Sequence, residues 1–127
     1  MRGDPTAAAT DDSTTSGVAV RLIDEGLRMA DHPCVVFHHS AAHGRVAALR
    51  SGPDIAEVLN VLTGLSSRGE ERVAEVAARF GIHATQVRAA IGYYTSFGDE
   101  VDTQIASKLR EAEALRQRHE SEQALLG

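Results

Sequence analysis

Apolar residues recur along this chain at two different periods, and the switches between them mark out its elements. Over residues 18–29, VAVRLIDEGLRM, the residues Val20, Ile23 and Leu27 share one face at helical spacing, with Met29 at its edge. This segment is expected as a short helix ending before His32-Pro33, or in part as an irregular approach strand. Cys34-Val35-Val36-Phe37 and Arg45-Val46-Ala47-Ala48-Leu49 are short β-branched and apolar runs. The polar and small residues between them close on Gly44, which predicts a β-hairpin with Cys34 as a small buried hydrophobe in its first strand. Ser51-Gly52-Pro53-Asp54 then interrupts the pattern. Pro53 suits a helix start, and Asp54 suits the free N–H groups there. Ile55, Val58, Leu59, Leu62 and Leu65 make a continuous helical stripe that Gly64 and Ser66-Ser67 end.

The densest pattern follows at Val73 to Tyr93. Val73, Val76, Ala77 and Phe80 form one stripe, Gly81 breaks it, Ile82 plugs the corner, and Val87, Ala90 and Ile91 form a second stripe. The small Ala77 sits where a second helix can cross closely. This is the helix-turn-helix pattern, with a plain helical hairpin as the alternative. Beyond Ser96-Phe97-Gly98 one long helix is expected. Asp99, Glu100 and Asp102 lie in its first turn, where acids suit the helix dipole. The expected fold is mostly α: a small N-terminal β-hairpin, a helix-turn-helix core of three helices, and a long C-terminal helix. The matching boundaries are a disordered tail over 1–16, a hairpin and helix-turn-helix domain over 17–98, and a partner-binding helix over 99–127.

Composition narrows the classes. At 127 residues there is material for one modest core, and with no Trp and only five other aromatics that core must be mainly aliphatic. After Met1 and Arg2, residues up to 16 are Ala, Thr, Ser and Asp with one Pro and one Gly, too polar to bury. The single cysteine excludes an internal disulfide. No apolar run reaches membrane-spanning length and nothing at the start resembles a secretion signal, so a cytoplasmic protein is expected. Two strands alone are marginal in water. They must lean on the helices or pair with the same strands of a second chain, which is a reason to expect a homodimer.

Chemistry is sparse. His38, His39 and His43 invite a metal reading, but strand neighbours point to opposite faces, leaving His39 and His43 as the pair able to meet around a turn. No acid–base pair, activated nucleophile or phosphate-cradling glycine loop stands out, so neither an enzyme nor a cofactor is expected. On the second helix of the pair, His83, Thr85, Gln86 and Arg88 are the outward candidates for DNA contact, joined by Arg72 and Arg79. Between Arg68 and Gly98 four arginines face three glutamates, and the whole chain stands at −5. Operator binding would therefore need a dimer, a partner or a narrow basic face. The last helix carries Val101, Ile105, Leu109, Ala112 and Leu115 as a stripe longer than a small core requires. Asp102, Ile105, Leu109, Ala112, Leu115, Arg116 and Arg118 are the candidates for protein contact. A terminal helix that packs on its own domain and then frays is the alternative.

Cys34 to Ile105 resembles a small bacterial family of domains of unknown function whose members are often VapB-type antitoxins, paired with PIN-like ribonuclease toxins. The residues that carry the resemblance are Gly44-Arg45 with Ala47 and Leu49, Gly52-Pro53-Asp54 with Glu57-Val58, Gln86-Val87-Arg88-Ala89-Ala90, Tyr93-Tyr94 and Asp99-Glu100-Val101-Asp102. The second helix is less polar than in strong DNA readers. The resemblance implies a winged or homeodomain-like helix-turn-helix preceded by a hairpin, operator binding as a dimer and a C-terminal portion that blocks a cognate toxin, so that the chain would neutralise the ribonuclease and repress its own operon. A helix-turn-helix regulator without a toxin, and an adaptor module that binds no DNA, are the other functions this pattern allows.

Overall fold

The computed structural model describes residues 15–127. The described chain is mostly helical with one two-stranded antiparallel hairpin. Its order is α1 (Thr15–Asp31), β1 (Val35–Ser40), β2 (Gly44–Leu49), α2 (Ile55–Gly64), α3 (Gly69–Phe80) and α4 (Ala84–Leu126). A helix therefore precedes the hairpin, and of the two readings of residues 18–29 the helical one holds. Thr15 and Ser16 open that helix, and the rest of the tail expected over 1–16 lies outside the described residues.

The hairpin pairs Val35 with Leu49 and continues in register to Ser40 with Gly44, so β1 runs on through both histidines. Gly44 has φ +72°, the left-handed backbone with which a three-residue hairpin loop closes. Cys34 lies in the turn before β1 rather than in the strand, half-buried against the core. Four consecutive residues of β2, Val46 to Leu49, are buried, so both of its faces are covered. The hairpin leans on its own helices, which answers its marginal stability as a lone pair of strands.

Asp54 is extended and precedes α2, and its N–H donates to the Glu57 carboxylate at 3.1 Å. Ile55, Ala56, Val58 and Leu59 enter the core from this helix. α3 ends as its sequence requires. Gly81 is left-handed (φ 66°, ψ 37°), the Ile82 N–H returns to the Ala77 carbonyl at 3.0 Å, and the Gly81 N–H returns to Ala78 at 3.3 Å. That crossed pair of bonds with an apolar residue just after the glycine is a Schellman ending.

The break expected at Ser96-Phe97-Gly98 is a kink, not a loop. Only Phe97 leaves helical geometry (φ −129°, ψ 36°), and α4 continues through it. Val87, Ala90 and Tyr93 before the kink and Val101 after it are all fully buried, and Ile105 packs on the same core. The head of the molecule thus extends ten residues past the expected boundary at Gly98. From Leu109 to Leu126 every residue is exposed, a free rod of roughly 27 Å at 1.5 Å per residue.

Candidate functional site

Helix α1 docks on the rest of the head in an unusual way. Its one buried residue is Glu25, whose carboxylate accepts two hydrogen bonds from the Arg45 guanidinium at 2.9 and 2.7 Å. One turn on, Arg28 donates to the Glu100 carboxylate at 2.9 and 3.0 Å and to the Tyr93 hydroxyl at 2.8 Å. Its guanidinium also lies 3.9 Å from the ring centre of Phe97, the kink residue. The Tyr93 hydroxyl closes the network by donating to Glu100 at 3.0 Å. Burial raises the Tyr93 phenol well above its ordinary value, so it stays protonated as a donor.

The consequence is that the apolar face of α1 points outward. Val20, Ile23 and Leu27 are 68, 65 and 64 % exposed. These residues share a face as their spacing predicts, but it is not the face that packs. The competing signal was present in the polar residues on the other side of the helix, but periodicity does not say which side docks.

The Arg45 hydrogen bonds lower the Glu25 pKa below its ordinary 4.5. A carboxylate depressed on folding adds stability above its unfolded pKa and loses it as pH falls through the folded value. The melting temperature is therefore expected to drop as pH falls below about 4.5. A Glu25→Gln chain should melt lower at neutral pH, by ~1–3 kcal/mol of stability for a weakened buried charge pair, and with a flatter acid limb. Thermal melts of both chains from neutral to acid pH check this, and equal acid limbs would remove Glu25 from the account.

Two histidines tie the hairpin to α2 and α4. His38 Nε2 meets Asp54 Oδ1 at 2.8 Å, and Asp54 Oδ2 accepts from Lys108 Nζ at 3.3 Å. His43 sits 3.1 Å from the Ser107 hydroxyl and 3.5 Å from Glu111. His39 is exposed. Among the described residues no group of three or more His, Cys, Asp or Glu is placed to hold a metal ion.

The residues proposed for DNA contact separate. His83 caps the start of α4, its carbonyl accepting the Gln86 and Val87 N–H groups. Thr85 and Arg88 are exposed on the first turns of that helix, Gln86 is half-buried, and Arg79 is exposed near the end of α3. Arg88 is ion-paired with Glu70 of α3. Arg72 turns inward, donating to the Ser67 carbonyl at 2.6 Å and the Leu65 carbonyl at 2.8 Å. It clamps the α2–α3 link and is withdrawn as a DNA contact.

The residues proposed for protein contact also divide, at Lys108. Asp102 accepts a hydrogen bond from Tyr94 at 2.9 Å and Ile105 is committed to the core. Leu109 and Leu115 are 53 and 55 % exposed, and Ala112, Arg116 and Arg118 are exposed beside them. Arg116 is held by Glu113 and Glu120 of its own helix, whereas Arg118 has no ion pair among the described residues. Comparisons with family models, with curated proteins and with solved structures give no significant match.

Proposed function

We propose that this chain is the antitoxin of a type II toxin–antitoxin pair, which neutralises a ribonuclease by direct contact through the free part of α4 and represses its own operon through a helix-turn-helix formed by α3 and the start of α4. The observation that carries the reading is the exposed rod from Leu109 to Leu126. Beyond the His43–Glu111 contact the helix packs on nothing among the described residues, and a helix without such packing is marginal in water, because most helical stability in proteins comes from packing an apolar face. Such a helix is stabilised when Leu109, Ala112 and Leu115 find a partner surface. A ribonuclease offers a basic face for the phosphate backbone and a carboxylate cluster for metal. The rod carries Glu111 and Glu122 for the first, with Glu113 and Glu120 shared with Arg116, and Arg118 for the second.

The test is capture from the native cell with the tagged full chain and with a Leu109→Ala/Leu115→Ala chain. A nuclease is expected with the first and not with the second. Recovery of partners that include no nuclease would overturn the reading.

The α3–Gly81–α4 geometry favours operator binding as a second activity, and the Glu70–Arg88 pair sets its expected strength. With Glu70, Glu71 and Glu75 on α3, the exposed face beside Arg88 is close to neutral. A Glu70→Gln chain is expected to bind operator DNA more tightly than the parent at low salt, since Arg88 is released toward phosphate or base. An Arg88→Ala chain is expected to lose ~1–3 kcal/mol if the arginine reads a base. Both are measured by titration against labelled operator DNA at fixed salt. If neither substitution changes binding, α4 is not the reading element, and an adaptor role without DNA takes its place.

A further inference from the structure

Arg28 occupies a site whose walls are built without it. The Tyr93 hydroxyl donates to Glu100 at 3.0 Å, a bond between two residues of α4 on either side of the kink. The Tyr93 ring lies 4.8 Å from that of Phe97 and 6.4 Å from that of Phe37. In the link after α1, the His32 ring stands edge-on to Tyr93 and Phe97 at 5.3 and 6.1 Å. Aromatic faces beside a carboxylate and a hydroxyl attract an organic cation. We propose that this pocket of Phe37, Tyr93, Phe97 and Glu100 is an arginine-binding site for a partner protein, and that Arg28 is its internal occupant, which leaves when α1 lifts.

The present occupant defines the ligand class. Arg28 Nη1 donates to both Glu100 oxygens and to the Tyr93 hydroxyl. At the same time the guanidinium carbon lies 3.9 Å from the Phe97 ring centre and 6.0 Å from that of Phe37. A planar guanidinium stacks on a ring and donates from its edge at once, whereas a lysine ammonium has no flat face to stack. The Arg28 side chain is only 17 % exposed, so the cation is largely enclosed. An open cleft of about 310 Å³ between α1, the hairpin and α4 reaches Arg28, Phe37 and Glu100. The remaining contact, Arg28 Nε to Asp24 at 3.1 Å, lies within α1 and travels with it.

α1 is the element able to leave. None of its residues belongs to the apolar core, its one buried residue is Glu25, and its apolar face points outward. Charged contacts hold it, Glu25 with Arg45 and Arg28 with Glu100. An element with so little buried apolar surface opens locally while the rest of the fold stays closed. Arg28 is tethered and outcompetes a single free arginine through its effective concentration, whereas a partner that adds contacts of its own displaces it. The incoming arginine therefore belongs to a protein. The site is separate from the rod and from the first turns of α4, so it depends neither on the nuclease nor on DNA.

The probes are ethylguanidinium, which replaces the atoms lost in an Arg28→Ala chain, and acetylarginine amide, which carries the side chain as a partner's chain would. Binding is read from the ring resonances of Tyr93 and Phe97 in NMR titrations of the full chain. The Arg28→Ala chain is expected to bind ethylguanidinium roughly tenfold or more tightly than the parent does, and to prefer it to ethylammonium by a similar factor. Adding Glu100→Gln should remove most of that binding. A Glu25→Gln chain, whose α1 has lost a charged anchor, should bind acetylarginine amide roughly tenfold more tightly than the parent. This arm stands by itself if the Arg28→Ala chain shows no melting transition. Equal binding of the two small cations, or binding unchanged by Glu100→Gln, overturns the assignment of the pocket. Equal binding of the amide by the parent and Glu25→Gln chains overturns the release of α1 and leaves Arg28 a fixed clamp. Free arginine binding more tightly than the amide overturns the assignment to a partner protein.

Discussion

A Val87→Asp chain is expected to be unfolded at neutral pH. Val87 is fully buried at the first turn of α4, where that helix meets the core shared with α2 and α3. The substitution removes an apolar side chain whose burial contributes about 1.5–3 kcal/mol. It also places an ionised carboxylate where no basic group is bonded, at a further cost of several kcal/mol even after relaxation. Together these approach or exceed the ~5–15 kcal/mol by which a domain of this size is stable. A Val87→Ala chain is the control. It leaves a cavity but no charge, and should stay folded with a lowered melting temperature. Because protonation spares the charge, mildly acid pH is expected to restore part of the helical signal of the Asp variant. Circular dichroism melts of the three chains at two pH values check all of this. A Val87→Asp chain that melts within a few degrees of the parent would mean that α4 does not pack as described.

The second large effect is expected from where α4 is cut. A chain ending at Glu111 keeps Val101 and Ile105 in the core, the Lys108–Asp54 pair and the His43–Glu111 contact. Its melting temperature should match the parent's. It should nevertheless fail to hold or inhibit the nuclease, because Ala112, Leu115 and Arg118 are gone. A chain ending at Gly98 is different. It loses the buried Val101, and it leaves Arg28 without Glu100, with the Tyr93 hydroxyl and Asp24 as its remaining partners. The apolar loss alone is about 1.5–3 kcal/mol, and loss of the Glu100 carboxylate adds ~1–3 kcal/mol. That chain should be severely destabilised, so loss of protection with it would say nothing about the rod. Melting curves and nuclease inhibition at equal concentration separate the two cases. If the chain ending at Glu111 still protects against the nuclease, neutralisation resides on the head and the rod is not the inhibitory element.

Much of the head was legible before its structure, because local rules decide it. Gly81 ends α3 since a left-handed residue there costs least without a side chain. Asp54 with Glu57 opens α2 through bonds made within three residues. The hairpin register follows from two apolar runs and a glycine at the loop. The resemblance residues gain a physical role on the same terms. Gly44 closes the loop, Arg45 pairs with Glu25, Tyr93 fills the core, and Glu100 receives Arg28. They hold the head together, so their pattern speaks to fold more than to a binding surface.

The sequence by itself determined most of the segments that form helices and strands, which helix faces are apolar, and that the last helix carries more apolar stripe than a small core can use. Those properties follow from backbone preferences and from side-chain period, which act over a few residues. Only the tertiary structure decided which face of each helix packs. In α1 the polar face docks, because Arg45 and Glu100 arrive from distant parts of the chain to meet Glu25 and Arg28. At Arg72 and Arg88 two similar arginines part ways, one clamping a link between helices and the other pairing at the surface. Likewise Val101 and Leu115 belong to one stripe of α4, yet the first is core and the second free. An apolar stripe records that contact is favourable, and the positions of groups remote in sequence determine whether that contact lies within the chain or beyond it.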